Sequence, residues 1–168
     1  MTKTALQDAF DHHVWATVRV IDACMPLTDE QLATAVPGTY GSILDTLRHT
    51  VGSDAWYLYV ISGERAARID EDVMSLPELR AAMEGNRKAW TSILDAGPDW
   101  DSVLISRTED GIDGYAPLSL RIPQVLHHGT DHRSQICTAL TALRIEPPDI
   151  DVWAYGELDG RVKDVPRA

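Results

Sequence analysis

Leu126-His127-His128-Gly129-Thr130-Asp131-His132-Arg133-Ser134-Gln135 is the stretch on which the reading of this chain turns. It follows Pro123, a residue suited to the first turn of a helix, and continues through Ile136, Leu140 and Leu143 until Pro147-Pro148 stops it. A long amphipathic helix is therefore expected. On it His128 and His132 lie on one face with Cβ atoms about 5–6 Å apart, so two imidazoles can turn toward one ion without bending the backbone. Six histidines in 168 residues would produce about 0.2 such pairs by chance, so the motif needs support from the rest of the chain.

Working outward, three more helices are expected. Leu6, Phe10, Val14 or His13, Thr17, Ile21 and Met25 recur with helical period from about Thr4 to Met25, where Pro26 ends the segment. After a loop through Pro37-Gly38-Thr39-Tyr40-Gly41, Ser42 is an N-cap for a second helix from Ile43 to Ile61, closed by Ser62-Gly63. Ser75, with Pro77 in the first turn and Glu78 three residues on, starts a third that breaks at Gly97-Pro98. Between Trp100 and Leu120 the helical period is lost, and Val103-Leu104-Ile105 and Tyr115-Ala-Pro-Leu-Ser read as extended pieces around turns, a small irregular hairpin. The expected architecture is an all-α four-helix bundle, one domain over residues 1–168, with that insertion before the last long helix.

A bundle builds metal sites from inward-facing side chains on neighbouring helices. His49, flanked by Leu44, Leu47 and Val51 on the second helix, is the candidate to join His128 and His132; a hydrogen-bonded core histidine is the alternative. Three neutral imidazoles suit zinc or another borderline divalent metal, and an open fourth position is the catalytic pattern. Gly129 costs helix stability, which close approach of a neighbour would explain. Asp45 and Asp131 are placed to orient an imidazole or add an oxygen ligand, against the simpler reading of solvated helix-face acids. His13 reads as a hydrogen-bonded core residue, with a place facing the site as the alternative, and His12 as solvent-facing. His127 points about 100° from His128 and cannot share its ion.

Other chemistries find less support. His128 is not followed by the glutamate of zincin proteases, and there is no Gly-x-Ser-x-Gly or phosphate-binding glycine loop. Cys24 and Cys137 lack a nucleophile context, and Cys137 points away from the histidine face. A formal charge of −11, from 26 acidic and 15 basic side chains, disfavours nucleic acid and anionic lipid as partners. No apolar run reaches the ~18 residues of a membrane span, and Met1-Thr-Lys-Thr-Ala-Leu-Gln-Asp8 has no signal-peptide core, so a reduced, cytoplasmic protein is expected.

The sequence resembles the DinB/YfiT-like superfamily of metalloenzymes. The resemblance rests on Asp11-His-His-Val-Trp15, on Gly41-Ser-Ile-Leu-Asp-Thr-Leu-Arg-His49, on His-x-x-x-His-Arg-x-Gln from His128 to Gln135, and on the closing Pro147-Pro148-Asp-Ile-Asp-Val-Trp-Ala-Tyr155. It implies an up-down-down-up bundle, frequently a homodimer, with a divalent metal on His49, His128 and His132. Zinc is the first expectation, with nickel, manganese or iron as alternatives. Many relatives carry His-His-Arg-Gly-Gln where this chain has Asp131-His132-Arg133-Ser134-Gln135, so the ligand positions are kept while their neighbours change. The resemblance further implies a small-molecule substrate and a transferase that uses a low-molecular-weight thiol, hydrolases being a minority. Asp131, Arg133 and Tyr155 are the candidates to assist the chemistry. A non-catalytic metal- or ligand-binding stress-response protein is the competing expectation.

Overall fold

The computed structural model describes residues 3–63, 69–107 and 110–165. Helix α1 (Ala5–Cys24) opens with a capping box in which Thr4 accepts from the Gln7 N–H and Gln7 accepts from the Thr4 N–H. The same device at Thr28 and Gln31 starts a single turn, α2 (Asp29–Leu32), too short for periodicity to announce it. Ser42 caps α3 (Ile43–Ser62), which ends on Gly63 in the left-handed region at φ 74°. At α4 (Leu76–Asp95) the Glu78 carboxylate receives the Ser75 N–H and hydroxyl at 2.8 and 2.6 Å.

Strands β1 (Val103–Arg107) and β2 (Asp113–Pro117) form the expected hairpin, antiparallel with Val103 opposite Pro117 and Ile105 opposite Tyr115. One boundary differs from expectation. Helix α5 (Leu118–Ala142) starts five residues before Pro123, directly from the end of β2, so the proline sits inside it. The reason is non-local: the Leu118 and Ser119 N–H groups donate to the carbonyls of Ser102 and Trp100, satisfying the first turn before the proline is reached. Arg121 ties the hairpin to the helix from beneath, donating to the Leu104 carbonyl at 2.9 Å. A short α6 (Val152–Leu158), capped by Asp151, packs against α1 and was not expected from the sequence.

The protein is thus mostly helical with one small two-stranded sheet. Helices α1 and α3 each pack against both α4 and α5, and the apolar core lies among these four. Phe10, Val14, Ile21, Leu47, Val51, Leu58, Leu79, Met83, Trp90, Ile136 and Leu140 are all buried there. Among the described residues, no helix is long and apolar enough to cross a membrane.

Candidate metal centre

The local folding of α3 and α5 carries the three histidines to one place. Ser42 sets the start of α3, and His49 follows two turns later on the side facing α5. On α5, one helical turn separates His128 from His132, and their Nε2 atoms face each other at 3.1 Å. The ligand atoms of His49, His128 and His132 all lie within 4.8 Å of one another. Ring centroids are 5.1 and 5.0 Å from His49 to His128 and His132, and 4.4 Å between the latter two.

Protonation favours free lone pairs. Burial pushes the His128 imidazole down to about 4, with the neighbouring His132 and His49 adding to the effect and Asp131 opposing it. His132 is also lowered, chiefly by burial, against a raising contribution from its bond to Gln135. At neutral pH both rings are uncharged. Gln135 Oε1 lies 3.2 Å from His132 Nδ1, and since an amide oxygen only accepts, that nitrogen carries the proton and Nε2 presents its lone pair to the centre. His49 has Glu71 Oε2 at 3.5 Å from Nδ1 and the Ser53 hydroxyl at 3.5 Å from Nε2, an arrangement that favours the proton on Nδ1 and leaves Nε2 as the acceptor. The donor set fits a divalent ion: three imidazole nitrogens, two of whose rings have acceptors on their outer edge.

Aromatic rings form the walls. Tyr40 stacks face to face on His49, with centroids 4.1 Å apart and planes 10° apart, and meets His132 edge-on. Its backbone N–H donates to the same Gln135 oxygen at 2.9 Å, so one amide holds both a histidine and the loop that covers it. Tyr57 lies edge-on to His128.

Of the residues expected to assist, only Asp131 lies beside the histidines; it is solvent-exposed and acts on His128 and His132 through its charge. Arg133 points into the interior, donating to His13 Nδ1 and Thr17 Oγ1, both at 3.0 Å. Tyr155 lies on α6 against the rings of Trp15 and His12. Asp45 is neither ligand nor orienting group: its carboxylate accepts from the Ser42 hydroxyl and N–H. His12 is half-buried and donates to the Ile150 carbonyl at 2.8 Å, unlike its expected solvent-facing place. Cys24 is buried, its thiol pushed up to about 12 by desolvation, and Cys137 is raised by the same cause, so neither is an activated nucleophile.

Tyr40 and Glu71 had no place in the sequence reading. Both come from loops, where no spacing rule links them to a histidine. Gln135 was recoverable, since three residues after His132 on a helix is contact distance. Gly52 has a similar hidden part, for a β-carbon there would collide with the Glu71 carboxylate.

A sequence model of the DinB family matches residues 1–163. The crystal structure of a DinB-like protein from Bacillus cereus ATCC 10987 superposes with a TM-score of 0.62 at 16% identity, covering 86% of this chain and 94% of that one. No curated protein matches the sequence. The structural likeness concerns the fold, and the family match spans nearly the whole length: this chain belongs to the DinB family.

Proposed function

We propose that His49, His128 and His132 hold one divalent metal ion, zinc foremost, with nickel, manganese or iron as alternatives, and that the centre serves a thiol-dependent transfer to a small-molecule electrophile. The observation that carries this is the convergence of three imidazole nitrogens within 4.8 Å. At this spacing one cation can accept a lone pair from each of the three rings. When bound, such an ion acts as a Lewis acid and lowers the pKa of a thiol or water on it. Supply of the nucleophile by a small thiol agrees with two cysteines whose own thiols burial keeps protonated.

The surrounding residues have definite tasks in this reading. Gln135 and Glu71 fix the tautomers and orientations of His132 and His49. Tyr40 and Tyr57 flank the centre with apolar ring surface. Asp131 places negative charge beside the histidine pair, which favours a bound cation. Arg133 and Tyr155, expected from the resemblance to assist, would act through the residues they touch. The up-down-down-up arrangement of the four long helices and assembly as a homodimer belong to the same proposal.

Metal analysis of protein purified without a histidine tag is the direct test. The expected result is one equivalent of divalent metal per chain in the wild type and loss of it in His128→Ala. Equal content in the two, or none in either, overturns the reading. Catalysis is tested next by screening electrophiles with cellular thiols: thiol transfer by the wild type and its absence in His49→Ala are expected, whereas equal rates would exclude the metal centre from the reaction. Light scattering of the same samples reads the dimer.

A further inference from the structure

A second polar cluster lies behind the first, with all but its Thr130 edge in the interior. His13 of α1 sits at its middle, with Arg133 of α5 on one edge of the ring and Asp54 of α3 on the other, each at 3.0 Å. A guanidinium only donates, so His13 Nδ1 accepts and Nε2 carries the proton that goes to Asp54 Oδ1. The Asp54 carboxylate also receives Asn86 Nδ2 at 2.6 Å and Trp90 Nε1 at 3.2 Å from α4. Arg133 also donates to Thr17 Oγ1 and Thr130 Oγ1, both at 3.0 Å. His13, Asp54, Asn86 and Arg133 are each no more than 3% exposed.

The attachment points on α5 alternate with the histidines. Gly129 follows His128, and a β-carbon there would strike the His13 ring and the Arg133 guanidinium. Arg133 follows His132. A rotation or slide of α5 that preserved the His13 contacts is excluded, because the glycine gap and the guanidinium fork must both meet one imidazole. The third histidine stands on α3, the helix that His13 grips through Asp54. Both histidine-bearing helices are therefore hydrogen-bonded to one residue of α1, a helix that supplies no ligand to the centre.

We propose that His13 is a positioning residue of the three-histidine centre: through Arg133 and Asp54 it sets how far His49 stands from His128 and His132. This rests on the metal-binding reading above. The pair of charges it joins, one guanidinium and one carboxylate, sums to zero, so the link holds the helices without placing net positive charge behind a cation site.

Cobalt(II) titration of the untagged, metal-free protein tests it, with affinity and the visible d–d spectrum as readouts. Glutamine can accept from Arg133 and donate to Asp54 as His13 does, whereas leucine can do neither. His13→Leu is expected to weaken cobalt binding by about ten- to hundredfold, the range for residues that orient metal ligands, and to change the d–d bands. His13→Gln is expected to restore most of the affinity and the wild-type spectrum. Leu79→Ala, a core cavity on α4 outside the network, should lower the melting temperature and leave both readouts unchanged at 10 °C or so.

Equal affinities and spectra in the wild type and His13→Leu overturn the proposal and leave the three-histidine reading intact. So does a loss in Leu79→Ala equal to that in His13→Leu, which would make the effect general loosening. Failure of the wild type to bind cobalt overturns both. Should His13→Leu not fold, Gly129→Ala, which presses a methyl group between the ring and the guanidinium, takes its place with the same expected loss and the same criterion.

Discussion

Two histidine clusters share the interior side of α5, and they differ in one respect that separates structure from chemistry. Around His13 the donors and acceptors match: Arg133 gives, the imidazole relays, Asp54 receives, and Asn86 and Trp90 of α4 add further donors. Around the candidate metal centre the outer edges of His49 and His132 meet acceptors, while the Nε2 atoms of His128 and His132 face each other across 3.1 Å. The first cluster is complete as it stands. The second brings one nitrogen from each of three rings to a common point, and two of those rings, His49 and His128, are only partly buried, so a ligand can approach. Burial alone would rank the complete cluster higher, so the informative quantity is which hydrogen-bonding capacity is left over.

Breaking the complete cluster should have the largest effect. Asp54→Ala strands a buried guanidinium, and a loss of about 3–5 kcal/mol in unfolding free energy is expected from urea denaturation of the metal-free chain. His128→Ala should do the opposite to each property, abolishing stoichiometric metal by elemental analysis while the metal-free chain keeps its far-UV circular dichroism. Gln135→Leu frees the His132 ring to turn and also releases the Tyr40 loop; zinc affinity by competition with a chromophoric chelator should fall about ten- to hundredfold. A finding that this variant binds zinc as the wild type does would mean that the outer acceptors do not define the inner edge.

The smallest expected effect is on pH dependence. The folded His128 titrates at about 4 against 6.5 for the unfolded chain, so between these values the unfolded state takes up a proton that the fold refuses. Its contribution to stability is present above pH 6.5 and is lost as pH falls toward 4. Thermal melts of the metal-free protein across that window should decline less steeply in His128→Gln than in the wild type. An identical slope in both would place His128 in a more solvated setting than the structure gives it.

The four long helices were readable because their signals are local. Ser42 and Ser75 are caps with acidic partners three residues on, and Gly63 and Gly97 stop what those caps start. The true start of α5 was not readable, since it depends on carbonyls of Trp100 and Ser102 brought over by the hairpin. The same division runs through the site. His128 and His132 declare themselves by spacing, and His49 by its place on an apolar helix face. Glu71 and Tyr40 approach from loops, and the Arg133 bond to His13 joins residues 120 positions apart. Gly129 was noticed as a residue out of place in a helix, with close approach as one explanation; the structure names the neighbour as His13.

Gly52 sets two kinds of selection against each other. In the middle of α3, alanine would favour the helix by about 1 kcal/mol over glycine. The same methyl group would evict the Glu71 carboxylate from its seat beside His49. A library sorted for thermal resistance should therefore accumulate alanine at this position, and a library sorted for metal retention should keep glycine. The residue is a point where a more stable protein and a better ordered centre are different proteins.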